Sequence, residues 1–523
     1  MEYIKEFLIT FQKILFANKE DVDISSEEKR LKEVYYKMSI DMKREAINKL
    51  LSIAYDDFYI RILILSYLLK IISTYEIIEA LYDELINEKT NPEYSINILY
   101  QIGAYEFCND FLYDKIKDYK TRNKIYHNKI NEIKQKVLLQ NKYIKYNNRN
   151  KKRVVIVCRQ LLGELHAPTL IIINIYKWLQ ELGYQVYVVI NYMGQMQKEL
   201  ANQWCDILLD NNISDKNENI NYEVSDEVIK VYNMVFNTND FYGIAEKSVE
   251  LIMKLNPAFV LSVGEYNLIS DLVNDITTVC NMSCTGHPAV SDNNILIKCF
   301  DSDIKRDSLY NAYLDNVKKI FTIPMSFEKK EDIICKHKEE YGISKDKFTI
   351  LLIGNRLDNE ISDKFLKIMQ LIYEKNPNII YVIIGQCENL KKRIKENNYG
   401  YSCIYLGYVS DLQNTMSIGD LYLNPPRVGG GTSATYSIRN NIPILTLPNC
   451  DVASRGEKFV CKNIDEFPHI VSRYINDSDF MNSQIEYCKK VAYKRDSINS
   501  IENVRKFCND IKNYIKEQEN DYF

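Results

Sequence analysis

Over residues 1–150, apolar positions recur at helical spacing, as in Met38, Ile40 and Met42 followed by Ile47, Leu50, Leu51 and Ile53. This stretch holds one glycine (Gly103) and one proline (Pro92), so few breakers interrupt it. The pattern predicts five to seven amphipathic helices joined by short turns, an all-α domain of helical hairpins over residues 1–145. Residues 141–152 are polar and basic and read as a solvated linker. The texture then changes. Arg153–Cys158 is a continuous apolar run, as a strand buried on both faces requires, and a helix over Ile171–Leu182 closes at Gly183. Further strands are predicted at Tyr184–Ile190, Phe259–Val263 and Thr277–Cys280, with a helix near Leu268–Val273. A second cycle begins at Lys319 or soon after, with strands at 348–354, 379–385, 403–407, 421–423 and 443–447, a helix from Lys364 to Tyr373, and a helical end from Ile464. Alternating buried strands and helices predict an α/β protein with two Rossmann-like domains, residues 153–320 and 321–505, preceded by the all-α domain and followed by a helical tail over 506–523.

The net charge of −4 over 523 residues gives no electrostatic case for nucleic acid as a partner. The 13 cysteines are scattered without framework spacing, which predicts reduced thiols and a cytoplasmic protein. Cys280-x3-Cys284-x2-His287 has zinc-ligand residue types but lacks a fourth ligand nearby, and Asp301-Ser-Asp303 is a triplet common by chance. No metal site is therefore expected. The apolar run Ile62–Leu69 is bracketed by Arg61 and Lys70 and is too short to span a bilayer.

Glycine is scarce, 17 residues, yet three stand together at Gly429, Gly430 and Gly431. They follow the apolar run Leu421–Leu423 and precede a helical segment over Ala434–Arg439 and a further strand. Strand, glycine-rich loop and helix turn backbone N–H groups and a helix dipole onto an anion. Thr432 or Ser433 is placed to cap that helix and to offer a hydroxyl. Arg356, after the strand ending in Gly354-Asn355, is a cation at a strand end whose fork suits phosphate oxygens. Lys364 and Arg427 are further cations near the same ligand.

The second half resembles the donor-binding domain of GT-B-fold glycosyltransferases. The resemblance rests on the strand-Gly354-Asn-Arg-Leu357 segment, the Gly429-Gly-Gly-Thr-Ser-Ala434 loop, the strand at 443–447 and the Asp451-Val-Ala-Ser-Arg455 run. The last features, with the all-α domain in front, are similar to O-GlcNAc-transferase-like and HMW1C-like protein glycosyltransferases. The resemblance implies a hexosyl transfer from a nucleotide sugar, UDP-linked, to a protein side chain or a surface glycan, with no tightly bound cofactor and no required metal. It assigns Asn355, Arg356, Lys364, Arg427 and the loop from Gly429 to Ser433 to the diphosphate, Tyr408 and Val409 to the nucleobase, and Asp451 to sugar hydroxyls. His166, in the loop after the first strand, is placed to take the acceptor's proton, with His287 and Glu265 as competitors. One departure stands out. Many retaining members carry two glutamates with seven residues between them across the loop; here Val428 and Tyr436 occupy those places, so stereochemistry does not follow. The alternative reading is a catalytically silent subunit, partner or chaperone of another glycosyltransferase, and assembly as a homo-oligomer belongs with either.

Overall fold

The computed structural model describes residues 2–15, 23–54, 57–86, 90–108, 115–137, 142–163, 166–194, 196, 216–224, 227–285, 288–299, 311, 317–326, 332–397, 399–448 and 450–522. Seven helices among the described residues lead the chain: α1 (Glu2–Leu15), α2 (Ile24–Lys37), α3 (Ile40–Ile53), α4 (Phe58–Ile72), α5 (Tyr75–Ile86), α6 (Pro92–Cys108) and α7 (Lys115–Val137). Asp23, Ser39 and Asp57 cap α2, α3 and α4 by accepting a first-turn backbone N–H.

The first sheet contains β1 (Asn150–Cys158), β2 (Gln185–Tyr192), β3 (Glu218–Val224), β4 (Glu227–Val235), β5 (Pro257–Val263), β6 (Val279–Met282), β7 (Ile295–Lys298) and β8 (Lys319–Thr322). Their order is β3-β4-β2-β1-β5-β6-β7-β8, parallel except for the β3–β4 hairpin. Helix α8 (Ala167–Glu181) follows β1; α9 (Phe241–Leu255) and α10 (Leu268–Val273) flank β5. The second sheet is wholly parallel, β11-β10-β9-β12-β13, from β9 (Phe348–Ile353), β10 (Ile379–Ile384), β11 (Cys403–Gly407), β12 (Leu421–Leu423) and β13 (Ile444–Leu445).

Strand periodicity explains how the cores divide. In β1, Val155 and Val157 face a core that runs unbroken into the α1–α7 domain, while Val154, Ile156 and Cys158 face the opposite one. In β9, Ile350 and Leu352 face one side and Leu351 and Ile353 the other. Such strands must read as continuous apolar runs because both faces are covered. The helical domain is thus a cover on one face of the first sheet. Buried polar contacts fix its register: Tyr126 donates its hydroxyl to Asp271 Oδ2 at 2.7 Å and Tyr119 donates to the Ala289 carbonyl at 3.0 Å.

Three differences from the sequence expectation have physical causes. The basic run around residue 150 is not a solvated linker throughout. Arg149 is buried and donates to the Ile144 and Ala258 carbonyls and to Thr278 Oγ1. The strand beginning at Lys319 closes the first sheet by pairing with β7, so a domain boundary at 321 would cut through it. The last helix begins at Ser500 rather than 506, and its Phe507, Ile511 and Ile515 return to the first domain's core.

Candidate functional site

In each sheet the chain winds to one side and then to the other, and the crevice at that reversal, at the carboxyl ends of the strands, is where such sheets bind ligands. In the second sheet the reversal falls between β9 and β12. Gly354, Asn355 and Arg356 leave β9 there, and the glycine loop leaves β12 beside them. The observed helix α11 (Gly431–Arg439) starts three residues earlier than the apolar pattern implied. Thr432 and Ser433 therefore lie within its first turn and do not cap it. Its N-cap is Gly430, at φ 81°, with no side-chain cap. A Cβ at Gly430 would come 2.7 Å from Arg427 Nη2, so both backbone conformation and space require glycine. Among the described residues no side chain caps the first-turn N–H groups of this helix.

Beneath the loop lies a three-residue ion network. Glu360, buried, offers Oε1 to Arg356 and Oε2 to Arg427, each at 2.8 Å. Arg427 also donates to Asn424 Oδ1, the Ile353 carbonyl and the Tyr422 hydroxyl. These bonds spend the Arg427 fork inward, bracing β9 against β12, and not toward a diphosphate as the resemblance implies. Arg356, with its side chain 29% exposed, donates to the Val428 carbonyl at 2.8 Å and so stays at the loop. Glu360 itself was missed in the sequence; its spacing of four from Arg356 on a helical turn was the available signal.

Asp451 accepts the Gly429 N–H on Oδ2 at 3.0 Å and so supports the loop. Lys364 sits in the first turn of the helix Asp363–Lys375, and its ammonium lies 3.6 Å from Asp465 with both side chains largely exposed. It is a surface pair, not part of the loop's network. Asn355 is exposed at the end of β9. Tyr408 is 49% exposed after β11, and Val409 packs partly against the core below.

In the first domain, His166 precedes α8 at its N-cap. Its Nδ1 lies 2.9 Å from Thr169 Oγ1, which also accepts the Leu162 N–H at 2.9 Å. Thr169 is fully buried. Where its hydroxyl donates to Nδ1, the neutral ring carries its proton on Nε2. Burial lowers the His166 pKa to about 4. The lowered pKa keeps the ring neutral near pH 7 and makes it a weak base. Glu265 is half-buried, with Oε2 3.5 Å from the Val290 N–H. His287, Asp301 and Asp303 lie outside the described residues. Among the described residues no cluster of three metal-ligating side chains forms, and no helix is long and apolar enough to cross a membrane. The described cysteines are free thiols.

Residues 334–491, which contain the loop, the ion network and Asp451, match the family model for glycosyl transferases group 1. The fold is GT-B. Along its whole length the chain is similar to a mutant O-GlcNAc transferase of Thermobaculum terrenum, with 12% identity, 99% of this chain and 98% of that chain covered, and a TM-score of 0.52. It is also similar to TarM, with 12% identity, 69% and 98% coverage and a TM-score of 0.47. A UDP complex of Anabaena HepE has 11% identity, 69% and 100% coverage and a TM-score of 0.46. These likenesses concern the fold. No curated protein matches the chain by sequence.

Proposed function

We propose that the domain built on the second sheet holds a UDP-linked hexose at the glycine loop and that the protein transfers the hexosyl unit to a protein side chain or a surface glycan. The observation that carries this reading is the uncapped N-terminus of α11, formed by glycines, with Arg356 held beside it at the crevice of the second sheet. In the transfer, negative charge grows on the departing diphosphate, and fixed N–H groups and a guanidinium stabilise it without reorganising. The charge is met by the chain's own donors, with no resident metal assigned. His166 Nε2–H is assigned to an oxygen of the donor sugar or acceptor. The dispersed free thiols support a cytoplasmic site of action.

The direct test is thermal melting of the full chain against UDP-, GDP-, ADP- and TDP-sugars. Saturation at 100 times the dissociation constant adds about 2.7 kcal/mol to stability. Arg356→Ala is expected to weaken the active donor by about 10–100-fold, the worth of a charged hydrogen bond. No response to any donor overturns the reading.

The role of His166 is tested by two substitutions. Gln keeps an N–H donor and Ala does not. His166→Gln is expected to stay within about tenfold of the parent rate, and His166→Ala to lose about 100-fold or more. Because the folded pKa is lowered to about 4, the ring stays neutral throughout the range above it, and kcat/KM should show no titration near pH 6.5 from this group. Equal losses in Gln and Ala, with an acid limb near 6.5, would return His166 to the role of base.

A second reading, a silent partner subunit, is favoured by one set of contacts. Glu360 neutralises part of the charge on Arg356, Asp451 already holds the Gly429 N–H, and Tyr436 stands where a ribose-binding glutamate is common in the resembled family. Donor binding without transfer to any acceptor separates this reading from the first.

A further inference from the structure

The first sheet reverses between β1 and β5. Cys158 pairs with Val263 across that reversal, so Arg159 leaves one strand and Gly264-Glu265 the other at its carboxyl edge. His166 stands in the same β1–α8 loop. Arg159 is unusual there. Its guanidinium carbon lies 3.2 Å from the ring centroid of Tyr100, delivered by α6 of the helical domain. Tyr100 and Tyr126 each set an edge against Tyr266, with centroids 5.9 and 5.3 Å apart, so three tyrosines wall this corner. Arg159 Nη1 is buried with no hydrogen-bond partner, and among the described residues Arg159 forms no ion pair. The residue as a whole is only half-buried, which leaves a side open to a ligand.

A guanidinium carries five N–H donors and cannot shed its charge near neutrality. Burial lowers its pKa without neutralising it. An isolated charge withdrawn from water is costly unless an anion and hydrogen bonds compensate it. The tyrosine face offsets part of that cost but accepts no N–H bond in the plane of the fork. Glu265, which follows β5, is engaged by the Val290 N–H and forms no ion pair with Arg159. Contrast Arg122, which also reaches Tyr266 but is paired with both Asp118 and Glu106.

We propose that Arg159 is the anchor of an anion subsite in the crevice of the first sheet, taking a carboxylate or phosphate group carried by the acceptor. The subsite is built by two domains, since Tyr100 orients the guanidinium from the helical cover, and Glu265 across the crevice is left for a hydroxyl of the same molecule. Only the word acceptor rests on the transferase reading; the anion subsite does not.

The experiment is thermal melting of the full chain in chloride, with sodium phosphate or sodium acetate added at constant ionic strength, for the parent, Arg159→Met and Arg356→Ala. Expected is a saturable rise of the midpoint in the parent, kept in Arg356→Ala and abolished in Arg159→Met. Response to phosphate alone identifies a phosphorylated acceptor, and response to acetate a carboxylate. Arg159→Met in chloride is expected to melt at or above the parent, because a charge without a counter-ion has been removed. A parent without a saturable anion response, a response that survives Arg159→Met, or an Arg159→Met chain that melts well below the parent overturns the proposal. Anion binding without any nucleotide-sugar response would leave this subsite standing while the transferase reading falls.

Discussion

Arg427→Met is expected to lower the stability of the domain built on the second sheet by about 3–5 kcal/mol, the cost of breaking a buried ion pair from one side. The guanidinium is the shared partner of Glu360, Asn424, Tyr422 and the Ile353 carbonyl, so its loss leaves a buried carboxylate oxygen and a buried carbonyl without their donor. Methionine keeps much of the volume, which confines the effect to charge and hydrogen bonding. Adding Glu360→Gln should recover part of the loss, since the carboxylate left behind is neutralised. Urea unfolding of the two variants and the parent measures this. A single variant within about 1 kcal/mol of the parent would mean that the network is no brace, the range in which exposed pairs fall.

Gly385→Ala should cost about 3 kcal/mol or more, from overpacking and backbone strain together. Gly385 follows β10 at φ 121°, where side chains are strained, and an added Cβ would stand 2.0 Å from the Gly354 carbonyl oxygen. The neighbour is backbone, so relief requires the end of β9 to move. That end carries Asn355 and Arg356, and donor response should therefore fall together with stability. An alanine variant that melts like the parent, with an unchanged donor response, would show that this contact is absent in solution.

The expectations that succeeded were local ones. Strands β9, β10 and β12, and β1 from Val154 on, are almost wholly apolar runs because both faces of a parallel sheet are covered, so no knowledge of partners was needed to read them. The β3–β4 hairpin was not singled out, because its strands, such as Glu218–Val224, alternate polar and apolar residues among many asparagines. β7 was missed for its length, four residues from Ile295 to Lys298. The helix after the glycine loop was read as starting at Ala434, where apolar character begins, although helical backbone begins at Gly431; periodicity reports side-chain burial, not where the first turn closes.

The amino-acid sequence by itself determined the α/β architecture, the helical cover in front of it, and the glycine loop between β12 and its helix. Each follows from the spacing of apolar residues and from the conformational freedom of glycine, which act over a few neighbouring positions. Only the tertiary structure decided the direction and duty of the charged side chains. Arg356 and Arg427 are alike as strand-end arginines in the sequence, yet one remains at the loop surface and the other is enclosed. The difference arises because Glu360, 67 positions from Arg427, is buried beneath the loop and takes its charge there. Likewise, Arg159 looks like any residue that ends a strand until α6 lays Tyr100 over it. Electrostatic partnership is a contact between distant segments, and no local pattern carries it.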